Sequence, residues 1–579
     1  MHQRLRAVLC LAVVWLCASI GPGAVPSSTR LSPSHVAAIA RVARVWGFLK
    51  YHHPVITGGH RDWDAYLLSA LPDVLQDADA ADAILRAWAA DPGEAPPCGP
   101  CATVPSDAAF MSDLAWIDDE ALDEDVRAWL KQVHANRRRG SAQAYVFLQP
   151  GVLNPNFSGE ARYTGITHPV AELRLMALFR YWNIVQYWSP YRDLVQDRWN
   201  AVLHEFIPRF LAADDPAAFR LELAALTSRL EDGHGGLIGP AQALPPGGSC
   251  LLPIHVRFVE GRAVVDAYTH AEAGPASGLR IGDVIQRLDA TPVSTLLRRW
   301  SPYYAASNEP ARLLRMMGSL TLGACSEVTV HAWRPGGAFR LKATRLHFSQ
   351  LDFTSVQNHE LPGEPFQLLS EDVAYLKIST TRVADVRDYI LAAQNTRGLI
   401  IDIRSYPSQF LVFQLGQYLV DVTGSFASFN HGDLANPGTF HWLPGPALRP
   451  VFPRYWGKVV ILVDETTISS AEYHAMAFRK APGAIVVGST TAGADGNVSE
   501  VPLIGGWRTF ISGIGVFYPD HTPTQQVGIV PDVKVLPTIR GIREGRDEVL
   551  EEAIRQIQGS GDEDGLRVRN GSGSRLTPR

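Results

Sequence analysis

Seven residues near the start of the chain recur together at one fixed offset, and this repetition constrains the N-terminal region more than any other feature. Trp46, Tyr51, Pro54, Trp63, Ala65, Leu67 and Pro72 return as Trp182, Tyr187, Pro190, Trp199, Ala201, Leu203 and Pro208. Each copy sets aromatic residues at helical spacing, then a proline-containing turn, then a second amphipathic stretch. Two copies are too few for a solenoid. The segment 31–239 therefore reads as an all-α domain of duplicated helical hairpins with the aromatics in its core. Between the copies lie a proline-rich stretch, Pro92 to Pro105, and an acidic helix expected near Asp118 to Asp125 as a solvated face.

The chain has 579 residues, 46% hydrophobic and 19% charged, with a formal net charge of −5. That length implies several domains, and the apolar fraction suffices for packed cores. A slightly acidic chain without a basic stripe argues against nucleic acid as a partner. At the start, Arg4 and Arg6 precede an apolar run from Ala7 to Ile20, broken by Gly21-Pro22-Gly23. This pattern predicts a signal peptide over 1–24, too short for a membrane span. The expectation is an exported protein, in a bacterial periplasm or secreted, with no stable membrane insertion after cleavage. Four cysteines then remain. Cys98-Gly99-Pro100-Cys101 sits in a loop and reads as a local disulfide, and Cys250 and Cys325 are available for a second bridge.

Downstream the pattern changes from helical to strand-like. Ile254 to Phe258 and Ala263 to Val265 read as strands. Next, Gly278-Leu279-Arg280-Ile281-Gly282-Asp283-Val284-Ile285 resembles the most recognisable stretch of a PDZ domain. Gly278 and Gly282 supply the turns, and Leu279, Ile281 and Ile285 point inward. A helical insert from Ser294 to Leu320 departs from a minimal version of that module, which spans 250–346. The block 371–558 alternates strands (Val373 to Ile378, Gly398 to Arg404, Lys458 to Val463, Ala484 to Gly488) with helices (Arg387 to Gln394, Ser470 to Lys480), as an α/β fold does. The tail, 559–579, is rich in Gly, Ser and charge and reads as disordered.

Chemistry concentrates at Val463 to His474. A buried strand ends, the chain turns through Thr467-Ile468-Ser469-Ser470, and a helix begins. A serine there is exposed beside the free N–H groups of a first helical turn, which stabilise an oxyanion. The same spacing from Ser469 to Glu472 also fits a capping box.

Thr467-Ile468-Ser469-Ser470-Ala471-Glu472 resembles the nucleophile motif of the tail-specific, or C-terminal-processing, serine proteases. Asp402-Ile403-Arg404 and Gly528-Ile529-Val530-Pro531-Asp532-Val533 resemble two further motifs of that family, in the same order. The resemblance implies a multidomain protein with a PDZ-like β module and an α/β protease core of ClpP/crotonase-like layers. It also implies peptidase activity on protein or peptide substrates, without a cofactor or metal.

Many members use a Ser–Lys dyad, but Ala494 stands where that lysine would be. The remaining base is His234, in Asp232-Gly233-His234, which resembles the motif of the tricorn-like, histidine-using branch. His474 is a rival that lies one helical turn beyond Ser470. The acid that orients His234 is open: the branch's Glu position holds Gln525, and Glu472 and Glu500 are the substitutes. Oxyanion donors implied by the family are the backbone N–H of Ser470 and one from the loop at Ser405, where the family has glycines. Ser470 is the alternative nucleophile. Such departures also admit a second reading, a catalytically inactive protein that binds peptides or other ligands on the same fold. Tyr51-His52-His53-Pro54 invites a metal reading, but adjacent histidines rarely face one ion.

Overall fold

A computed structural model describes residues 31–559 apart from 141–142, 241, 243 and 355–358. The expected signal peptide and, Gly559 excepted, the tail lie outside the described residues. Mixed helical and sheet layers form a multidomain molecule. Among the described residues no helix is long and apolar enough to cross a membrane.

The N-terminal region is helical: α1 (Pro33–His52), α2 (Trp63–Gln76), α3 (Ala80–Ala90), α4 (Glu124–Ala135), α5 (Ala171–Trp188), α6 (Gln196–Ala212) and α7 (Pro216–Ser228). Caps explain several starts. Ser32 accepts from His35 N–H before Pro33, and Asp62 accepts from Ala65 N–H. Both copies of the sequence repeat hold the same clasp. Trp46 and Trp63 each donate an indole N–H to the other's carbonyl, at 3.0 and 2.9 Å, and Trp182 and Trp199 do the same at 3.0 and 3.2 Å. All four indoles are buried, and their N–H groups are thereby satisfied. A buried ionic cluster ties α1, α2 and α5 together: Lys50 meets Asp64 and Glu160, and Arg180 meets the same two carboxylates. The adjacent His52 and His53 bond different carbonyls, of Phe48 and Gly93.

The acidic helix is displaced from its expected position. Asp119 to Asp123 are non-helical; α4 starts at Glu124, capped by Asp123, with Glu124 and Asp125 in its first turn. Carboxylates complement the positive end of a helix, so this composition marked its start rather than its body.

A second unit is a sheet in the order β5-β4-β3-β2-β1, from β1 (Ile254–Val259), β2 (Arg262–Tyr268), β3 (Val284–Leu288), β4 (Glu327–Arg334) and β5 (Gly337–Thr344). Two helices, α8 (Val293–Trp300) and α9 (Glu309–Ser319), interrupt it, and α9 packs along β1, the edge strand. Gly278 and Gly282 have φ of +80° and +85°. A Cβ on Gly282 would strike the Arg543 side chain, whose guanidinium donates to the Gly282 carbonyl. Leu279 and Ile285 are buried, while Ile281 is only half-buried. Cys98–Cys101 and Cys250–Cys325 are disulfide-bonded.

The third unit is an α/β layer structure. Its sheet runs β6 (Phe366–Leu368), β7 (Val373–Lys377), β8 (Gly398–Asp402), β9 (Lys458–Val463), β10 (Ile485–Gly488) and β13 (Val533–Lys534); every pairing is parallel except β6 with β7. β7 and β8 are buried along their whole length, as are Val459 to Val463 of β9, because helices cover both sheet faces: α10 (Val386–Ala393) and α11 (Ser470–Phe478) on one, α12 (Glu548–Gln558) on the other. A hairpin of β11 (Val498–Pro502) and β12 (Arg508–Ser512) reaches back to the helical region, where Asn154 bonds the Val498 carbonyl at 2.9 Å.

Candidate active site

β9 is an unbroken apolar strand, and the chain turns sharply where it ends. Thr466 and Thr467 hydroxyls donate to the carbonyls of Arg404 and Ile403, at 2.7 and 2.9 Å, so the turn is sewn to the end of β8. Ser469 then takes φ +57° and ψ −125°, a strained setting for a residue with a Cβ. α11 starts at Ser470, whose N–H, in the first turn, has no acceptor within its own helix. The same threonine bonds hold Arg404 beside the turn, and Ser405, buried, is the next residue.

Glu472 secures this turn. Its buried carboxylate accepts from the N–H groups of Gly493 (2.8 Å), Ala494 (2.9 Å) and Ser469 (3.2 Å), and from the Thr491 hydroxyl. Burial pushes the carboxyl upward, and these donors offset only part of that rise. Neither carboxylate oxygen bonds the His234 imidazole. Ile529 N–H donates to Thr491 at 2.7 Å, so the terminal Gly528 to Val533 motif buttresses the same loop.

His234 follows α7 in a tight loop. The loop meets the nucleophile turn at Ala494: a Cβ on Gly233 would lie 2.7 Å from the Ala494 Cβ and 3.6 Å from Ile468 Cδ1, while Ser469 N–H donates to the Ala494 carbonyl at 2.8 Å. Only glycine at 233 permits that approach. Arg315 of α9 donates to the carbonyls of Gly233 and Gly235, clamping the loop from the sheet unit.

The imidazole is held on one side. Nδ1 lies 2.9 Å from Ser512 Oγ and 3.4 Å from Asp232 Oδ1, and Nε2 is buried with no hydrogen-bond partner. Asp232 also accepts from Ser512 N–H (2.6 Å), Ser512 Oγ (3.1 Å) and His234 N–H (2.9 Å). Burial alone would raise the Asp232 carboxyl; the His234 ring and these N–H groups outweigh it and hold the group at about 2. Asp232 stood in the sequence motif without this role, and Ser512 carried no sequence signal at all. The two meet only because β12 returns beside the loop after α7.

The other candidates go elsewhere. Gln525 is buried and bonds Ser307, at 3.4 Å. Glu500 pairs with Arg162 at 2.9 Å. His474 faces inward: Nε2 accepts from Leu411 N–H at 2.9 Å, Nδ1 meets the Ser470 carbonyl, and burial lowers the ring to about 4. Ser470 Oγ is 3.4 Å from that same Nδ1, which the carbonyl already engages.

Residues 372–535 match the model of peptidase family S41. Among solved structures, mature CPAF is similar with a TM-score of 0.55 at 16% identity, over 68% of this chain and 99% of that one. The photosystem II D1 C-terminal processing protease gives 0.38 at 18%, over 67% and 98%. The tricorn protease gives 0.31 at 16%, over 67% and 37%. No curated protein sequence matches the chain.

Proposed function

We propose a mechanism for this chain, a serine peptidase with a tail-specific, family S41 core: it is an endopeptidase in which Ser469 is the nucleophile and His234 the base. The observation that carries this reading is the asymmetry of His234, whose Nδ1 is engaged by Ser512 and Asp232 while Nε2 is left free. Asp232 keeps the proton on Nδ1 and stabilises the imidazolium. Nε2 takes the Ser469 proton as Oγ attacks the peptide carbonyl. The oxyanion is held by the N–H of Ser470 and by the loop at Ser405. Nε2–H then protonates the leaving amine, and water hydrolyses the acyl-enzyme by the same route in reverse. Glu472 is a positioning residue for the turn and the 491–494 loop.

The sheet unit acts as a PDZ-like module that presents substrate. Its edge strand β1 and α9 flank a cavity of about 270 Å³ lined by Leu251, Ile254, Val256, Met317, Leu322 and Phe353. An extended peptide can add to such an edge and seat an apolar side chain beneath it. The protein works outside the cytoplasm; the signal-like N-terminus and the two bonded cysteine pairs support this. Hydrolysis of an unstructured protein such as casein tests the reading. Cleavage by the wild type and none by Ser469→Ala is expected; an equal rate in the two proteins refutes it.

A further inference from the structure

A belt of aromatic side chains borders the nucleophile turn and takes no part in the chemistry above. Tyr406 and Phe410, on the loop that continues from Ser405, are 55% and 48% exposed, and Phe413, in the short helix Val412–Gly416 that follows, is 37% exposed. Phe410 stacks on Tyr473, with centroids 6.0 Å apart and planes 24° from parallel. Tyr473 in turn packs against Phe426 at 5.0 Å and Phe429 at 5.9 Å. The belt is anchored to the site: Tyr473 N–H donates to the Ser469 carbonyl, and Leu411 N–H donates to His474 on the same helix. Gln409 is fixed by Val383 N–H at 2.7 Å, so the loop is tied at its middle as well.

Phe410 and Phe413 have centroids 6.0 Å apart, and exposed rings side by side leave apolar area in water unless something covers them. Here they flank the proposed oxyanion donors, Ser470 N–H on one side and the Ser405 loop on the other. Tyr406 directly follows Ser405, and Phe410 stacks on Tyr473 of the helix that Ser470 opens, so both rings are carried by the segments that bear those donors. Resting on the peptidase reading, we infer that this belt is the specificity surface for a large aromatic side chain flanking the scissile bond. Ring-on-ring contact selects such a residue over alanine by removing apolar area from water on both partners.

The test compares peptides, blocked at both ends, that carry Phe or Ala on either side of the scissile bond. Hydrolysis is followed with the wild-type chain, and binding by fluorescence anisotropy with the full-length Ser469→Ala protein. Phe peptides are expected to be cleaved and bound about 10- to 100-fold better, and Phe410→Ala to bring that ratio towards one. Phe413→Ala on the same belt repeats the readout if Phe410→Ala does not fold. Equal handling of Phe and Ala peptides, or an unchanged ratio in a folded variant, overturns the inference. Selective binding without any hydrolysis upholds the surface and counts instead against the peptidase mechanism.

Discussion

His234 Nδ1 lies 2.9 Å from Ser512 Oγ. These residues come from the loop after α7 and the last position of β12, and Asp232 bonds both, through the Ser512 N–H and hydroxyl and the His234 backbone. The histidine is thus oriented by a carboxylate two positions before it and by a hydroxyl from a distant hairpin. The helical region supplies Asp232 and His234, the α/β core supplies Ser469, and the two meet where Gly233 approaches Ala494, whose carbonyl accepts from Ser469 N–H.

Asp232→Asn should cost about 10³- to 10⁴-fold in kcat/KM, because an amide no longer favours the proton on Nδ1. Its effect on stability has a defined pH window. The carboxyl falls from 3.8 to about 2 on folding, so it stabilises the fold above pH 4 and loses that contribution as the pH drops towards 2. Urea unfolding at pH 7 and pH 2.5 should show wild type ahead of Asp232→Asn by on the order of 2 kcal/mol at the higher pH, and a narrower gap at the lower.

Ser469→Gly should be more stable than Ser469→Ala by about 1 kcal/mol, with both variants inactive. A Cβ is strained at φ +57°, and glycine relieves that strain. Thermal unfolding of the two proteins decides it, and an Ala variant equal to or above Gly denies strain at the turn.

Asp495 is buried, its Oδ2 has no partner, and burial followed by the neighbouring Glu472 raises its carboxyl well above the usual range. A raised folded value means that its contribution is full below pH 4 and fades as pH rises. Asp495→Asn, which cannot ionise, should therefore gain stability relative to wild type between pH 5 and pH 8. Melting temperatures at the two pH values check this, and a pH-independent difference contradicts it.

Arg404 joins β8 to α12 through buried bonds to Asp402 and Asp547, at 2.7 and 2.8 Å. Arg404→Met leaves both carboxylates without their cation and should cost about 3–5 kcal/mol in urea unfolding. Adding Asp547→Leu should recover part of the loss.

Much of the core was legible because its signals are local. The apolar run Lys458 to Val463 and the Ser469-to-Glu472 spacing marked a strand, a turn and a helix, and the structure has them at Lys458–Val463 and Ser470–Phe478. The tryptophan repeat likewise encodes a contact made within each copy. What was not legible depends on long-range return of the chain. Ser512 has no motif, and its place beside Asp232 follows from the β11–β12 hairpin. Glu472 was read both as a catalytic substitute and as a cap; it accepts from Ser469 N–H, as the capping reading has it, while its bonds to Thr491, Gly493 and Ala494 in the following loop had no local signal. The Asp119 to Asp123 run was misplaced because acidic composition marks helix starts as readily as exposed faces.

The most direct test is covalent labelling of the full-length, correctly oxidised protein with a fluorophosphonate, with the adduct mapped by mass spectrometry. The account predicts a single adduct on Ser469 in the wild type, and labelling lost in Ser469→Ala and reduced at least about 10²-fold in rate in His234→Ala. An adduct on Ser470, or unimpaired labelling of Ser469 in folded His234→Ala protein, would contradict it.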